Sequence, residues 1–172
     1  MAISAQAVKA LREMTGAGMM DCKRALEEAQ GDLERAKEIL RQRGVAIAQQ
    51  KAGRETAQGL VWAYVHHDGR VGALVEVNCE TDFVARTEEF RALAQALALQ
   101  VAAMAPKYLS QEEMPPDEGD PRELCLLSQP YVRDEARTIG QLVQEVIAKT
   151  GENVRVRRFA RFELGRYDTP PA

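Results

Sequence analysis

The chain has 172 residues, 45% of them apolar, with 23 basic against 26 acidic side chains and a net charge of −3. That length suits one modest core plus a small extra module, and the charge balance argues against a general nucleic-acid binder, which carries a basic excess. Three widely spaced cysteines, Cys22, Cys79 and Cys125, form no Cys-x-x-Cys pair, so neither a zinc site nor a disulfide framework is indicated, and unpaired thiols suit a reducing compartment.

Three short helices are expected before residue 45. Ser4 can cap the first, with Val8 and Leu11 as its apolar positions, and Gly16 and Gly18 break it. The second spans about Met20 to Ala29, with Cys22, Ala25, Leu26 and Ala29 on one face and Gly31 at its end. Asp32 can cap the third, whose inward positions are Leu33, Ala36, Ile39 and Leu40, with Gly44 as the stop. Helices this short must pack on one another to persist, so residues 1–45 read as a three-helix module. Residues 46–58 are polar and Ala-rich and read as a linker.

The period then changes to two. Leu60, Trp62, Tyr64 and His66 alternate with Val61, Ala63 and Val65, and Asp68-Gly69 signals a two-residue hairpin turn. That loop length sets Trp62 opposite Val75 and Tyr64 opposite Ala73, gathering Leu60, Trp62, Tyr64, Val71, Ala73, Val75 and Val77 on one face. A helix reaching about Met104 follows, with an apolar stripe of Phe90, Leu93, Leu97, Val101 and Met104, closed by Pro106. Residues 110–123 are acidic and Pro-rich and read as a loop, 136–149 as another helix, and 153–164 as a third strand. In that strand Val154, Val156, Ala160, Phe162 and Leu164 share one face, while Phe159 stands on the polar face among Arg155, Arg157, Arg158 and Arg161. Residues 59–165 thus form an α+β core of antiparallel strands packed with helices, and 166–172 a disordered tail.

Residues 79–86, Cys-Glu-Thr-Asp-Phe-Val-Ala-Arg, join the return strand to the long helix. Asp82 can cap the helix there, leaving Phe83 near its start, between Asp82 and Arg86, where a ring can project as a wedge for a partner's pocket. Helical counting offers the opposite reading: positions 83, 90, 97 and 104 share a face, which would bury Phe83. His66 and His67, adjacent on a strand, point to opposite faces and cannot readily share a metal. Gly16-Ala17-Gly18 lacks the third glycine and preceding strand of a dinucleotide site, and no Gly-Lys-Ser/Thr loop occurs. Those glycines instead set a turn that presents Met19 and Met20, or leaves them in the small core. No nucleophile–base arrangement stands out, so the chain reads as a non-enzyme without a cofactor. The arginine strand reads as a solvated face, a subunit surface on which Phe159 would seek cover, or an RNA surface. No apolar run spans a bilayer and Lys9 and Arg12 interrupt any signal-peptide core, so the expected location is the cytoplasm.

The 79–86 octapeptide resembles the Thr-Asp-Phe-Val signature of the bacterial elongation factor Ts family. So do Thr15–Leu26 near the N-terminus, Leu127-Ser128-Gln129-Pro130-Tyr131-Val132, and Gly151-Glu152-Asn153 with the strand after it, all in family order. The resemblance implies a ubiquitin-associated-like helical module and a guanine-nucleotide exchange factor for the GDP form of elongation factor Tu. It implies that Thr81, Asp82, Phe83 and Val84 displace the partner's magnesium, and that Met19, Met20 and Arg86 contact the partner. A single-copy core implies a possible homodimer, with Phe159 as the self-association candidate. Neither a membrane nor direct nucleic-acid contact is expected; the alternative is an RNA-associated adaptor using strand 153–164. The chain departs from the family between Met104 and Leu127, where a Pro-rich loop replaces several helical turns.

Overall fold

Ser4 and Asp32 cap helices as their positions predict. In the computed structural model, which describes residues 3–166, Ser4 accepts from the Ala7 N–H at 3.1 Å and opens α1 (Ala5–Thr15), and Asp32 accepts from Arg35 at 2.9 Å and opens α3 (Leu33–Lys51). Gly16, at φ 64°, closes α1 by donating to the Arg12 carbonyl, a left-handed position that glycine takes at no steric cost. With α2 (Met19–Glu28) these helices bury Val8, Leu11, Cys22, Ala25, Leu26, Ala29 and Ala36. The helices and residues 144–153 form one unit; residues 55–143 and 154–166 form the other.

Gly44 does not end α3. The helix continues to Lys51, into the stretch expected as a linker. Gly44 is buried, and a Cβ there would meet the Ala148 Cβ at 3.7 Å, an ordinary contact. Because interior helical glycine costs about 0.5–1 kcal/mol relative to alanine, Gly44→Ala should raise the unfolding free energy by about that amount. A urea melt showing a loss would contradict the placement.

The second unit is built on a three-stranded antiparallel sheet, β1 (Gln58–Val65), β2 (Val71–Cys79) and β5 (Val154–Glu163), in the order β1-β2-β5. Trp62 pairs with Val75 and Tyr64 with Ala73, the register set by the Asp68-Gly69 turn. At the hairpin tip, beyond the end of β1, the His66 and His67 rings lie 4.2 Å apart, not on opposite faces. After β2 comes α4 (Asp82–Ala85), then α5 (Glu88–Met104), which packs on all three strands. Ala73, Val75, Val77, Cys79, Val154 and Val156 are buried on this inner face beneath Phe90, Leu93, Leu97 and Val101; Met104, expected in that stripe, is exposed.

A bulge overturns the expected facing of β5. Val77 pairs with Val156 and Glu76 with Arg158, so Arg157 is an extra residue without a strand partner. One inserted residue inverts side-chain parity beyond it. Phe159 therefore turns inward, half-buried and opposite Val75, while Phe162, expected inside, is 70% exposed.

Beyond α5 the chain is tied down without long helices. The Lys107 and Tyr108 N–H groups donate to the Leu124 carbonyl, Leu126 donates to Tyr108 and Leu127 to Leu109, and the Tyr108 hydroxyl donates to Glu118. The expected 110–123 loop holds only a 3₁₀ turn and ends in the single turn of α6 (Pro121–Leu124). The expected helix over 136–149 starts later, because β3 (Pro130–Tyr131) and β4 (Asp134–Thr138) form a small ribbon first; α7 spans Ile139–Thr150. The tail expected over 166–172 lies outside the described residues from 167 onward.

Candidate partner-docking site

The junction after β2 builds a projecting ring. Thr81, in extended conformation, caps α4 by accepting from the Val84 N–H at 3.4 Å. Asp82, expected as the cap, is instead the first helical residue, and its carboxylate pairs with the Arg86 guanidinium at 2.8 Å. Val84 and Ala85 are buried and α4 packs on β1 and β2, which anchors the turn; Phe83, just before them, is 78% exposed. Two helices, not one, decide this. Arg86 ends α4, and Thr87, at φ −68° and ψ 153°, caps α5 by accepting from Phe90. The break takes Phe83 off the stripe that Phe90 and Leu97 occupy, so the core reading of Phe83 fails. An unpacked aromatic on an anchored turn has little rotamer entropy to lose and much surface to bury on docking, the usual character of a binding anchor.

The helical unit carries a second candidate surface. α2 starts after Gly18, which supplies no side-chain cap, so Met19 and Met20 stand at its exposed first turn, 53% and 59% accessible. Cys22, Ala25 and Leu26 take the inward face. The methionines are thus outside the small core, as flexible apolar contact residues.

Cys22, Cys79 and Cys125 are buried and in no disulfide, and burial pushes the thiols of Cys22 and Cys125 upward, away from the reactive thiolate. Among the described residues there is no cluster of three or more His, Cys, Asp or Glu fit to hold a metal, and no helix long and apolar enough to cross a membrane.

The basic strand is partly neutralised. Arg158 donates to the Glu76 carboxylate at 2.7 Å, which, with Asn78, holds that carboxyl below its ordinary range. Arg161 lies inward, donating to Glu163 and to the Ala102 carbonyl. The outer face of the sheet bears what sequence reasoning missed: Val61 and Val65 of β1, Leu74 of β2, and Phe162 with Leu164 just beyond, all exposed. A signal was present, since Val61, Ala63 and Val65 make the second row of β1 as apolar as the first, and strands apolar on both faces are normally covered on both. The capping threonines Thr81 and Thr87 are the other omission as structural elements. Each stands one residue before a helix, Thr81 before the single turn of α4 and Thr87 before the long α5, the position an N-cap takes.

The chain matches a family described as Elongation factor TS over residues 6–121. It is 52% identical to elongation factor Ts of Caldanaerobacter subterraneus subsp. tengcongensis, over 95% of this chain and 97% of the relative. It is 49% identical to elongation factor Ts of Carboxydothermus hydrogenoformans, over 95% and 89%, and 47% identical to that of Thermotoga neapolitana, over 96% and 98%. These alignments run to 194 residues, more than the 172 of this chain, so the relatives carry residues without a counterpart here. With sequence similarity across nearly the whole length and the signature residues standing where the fold exposes a wedge, the chain belongs to the elongation factor Ts family of translation elongation factors.

Proposed function

We propose that the chain is a guanine-nucleotide exchange factor that acts in the cytoplasm on the GDP form of elongation factor Tu, without enzymatic chemistry of its own. The observation that carries this reading is Phe83, a large ring left 78% exposed on an anchored turn inside the family signature. Met19 and Met20 dock the helical unit on the partner, and Phe83 enters an apolar pocket there. Asp82 and Arg86, already paired at the surface, flank the ring as polar contacts. Thr81 and Val84 act from behind, one capping the turn and the other burying it. Entry of the ring displaces the partner's magnesium, removing the charge that neutralises the nucleotide phosphates, and GDP leaves.

Linkage makes the reading measurable. If the factor weakens GDP binding, GDP weakens factor binding by the same ratio; a thousandfold effect corresponds to roughly 4 kcal/mol. Calorimetric titration of the chain into nucleotide-free and GDP-loaded elongation factor Tu should therefore show much tighter binding to the empty form. Equal affinities would reject exchange, however tight the binding.

Self-association is proposed through the outer sheet face, with a second copy as the occupant. A single-copy core with a contiguous apolar row on an uncovered sheet calls for cover. Phe162→Glu should then yield monomers in sedimentation equilibrium while leaving the fold intact. Phe159→Glu should instead destabilise the fold, since that half-buried ring faces the core side. A wild-type monomer at tens of micromolar would contradict the proposal. Of the four arginines that the RNA-adaptor alternative would use, Arg158 and Arg161 are engaged by carboxylates.

A further inference from the structure

We infer that Thr87, one residue beyond the signature octapeptide, is a positioning residue that fixes the pose of Phe83, an inference that rests on the exchange reading above. The Phe83 ring has almost no packing of its own, so its direction is set by the backbone of α4. That helix is a single turn, too short to hold itself. Its two ends are tied by side chains. At the start, Thr81 caps the Val84 N–H, and the buried Cys79 thiol donates to the Thr81 carbonyl at 3.1 Å. At the end, the Thr87 hydroxyl donates to the Val84 carbonyl at 2.8 Å while the Thr87 N–H donates to the same oxygen at 3.0 Å. The same hydroxyl accepts from the Phe90 N–H at 3.3 Å.

One half-buried hydroxyl therefore joins the Val84 carbonyl of the wedge turn to the first turn of α5, whose Phe90 is fully buried in the core. Val84, next to Phe83, thus donates through its N–H to Thr81 and accepts at its carbonyl from Thr87. The arrangement passes the rigidity of α5 to a turn that must present an unpacked ring. Without the hydroxyl, the Val84 carbonyl keeps only backbone donors, the N–H groups of Arg86 and Thr87, and the C-terminal end of α4 is freer to fray.

The test compares Thr87→Val, which keeps the shape and removes the hydroxyl, with Thr87→Ser, which restores it. Thr138→Val removes a helix cap elsewhere, since Thr138 accepts from the Gln141 N–H, and serves as the control for cap loss alone. Amide hydrogen exchange on the free chain should show protection at Arg86 and Thr87 lost in Thr87→Val, retained in Thr87→Ser and untouched in Thr138→Val. The maximal rate of GDP release from elongation factor Tu, at saturating factor, should fall about fivefold in Thr87→Val, the size of one hydrogen bond. It should fall little when Phe83→Ala is already present, because the hydroxyl acts through that ring. Equal losses in both backgrounds, or unchanged protection of α4, would overturn the inference. If the wild type releases no GDP, the exchange reading fails, and the protection data still decide whether Thr87 orders α4.

Discussion

Phe83→Ala should slow factor-stimulated GDP release at least about tenfold, because an aromatic anchor in a pocket contributes about 2 kcal/mol or more, while the urea midpoint of the free chain barely moves. The ring is already 78% exposed, so its removal opens no cavity and forfeits little burial. The opposite pattern has a definite signature: a core phenylalanine costs about 3–5 kcal/mol when truncated, and activity would then fall only through unfolding. Paired melts and release assays on this one variant separate the two. Full stability with full activity would remove the residue on which the mechanism most depends.

The largest stability effect outside the apolar core is expected at Gln100. This α5 side chain is fully buried, donating to the Gln129 side chain at 3.1 Å and the Pro130 carbonyl at 3.0 Å, and accepting from the Val132 N–H at 2.9 Å. Gln129, also buried, donates in turn to the Glu123 carbonyl at 2.7 Å. One amide thus pins the Gln-Pro segment onto α5. Gln100→Leu keeps the volume but strands partners on three sides, each costing about 1–3 kcal/mol when left unsatisfied and buried. Partial rescue by water brings the expected loss to about 2–4 kcal/mol in a urea melt. A change under about 0.5 kcal/mol would show that the network is satisfied without Gln100.

What the sequence made legible was local and periodic. The hairpin register followed from the Asp68-Gly69 turn and one alternating stripe, because a two-residue loop leaves a single pairing. The caps at Ser4 and Asp32 were readable because a side-chain oxygen stood just before each apolar run. What escaped depended on tertiary context. Gly44 looked like a stop, but its burial beside Ala148 shows a packing reason that overrides propensity. The bulge at Arg157 left no local mark other than an arginine out of phase, and it exchanged the roles of Phe159 and Phe162. At the candidate site, helical counting carried Phe83 into the core because it assumed one helix; Thr87, a cap three residues before Phe90, was the sign that there are two. The exposure of Phe83 could be settled only by that break.

Elongation factor Tu should lose GDP faster in the presence of this chain. Stopped-flow release of fluorescent GDP from the preformed complex, chased with excess unlabelled nucleotide, tests it most directly. The release rate should climb with the concentration of the chain and then saturate, with no nucleotide hydrolysed by the chain alone. A rate that stays at its spontaneous value at micromolar concentrations of the chain would contradict it.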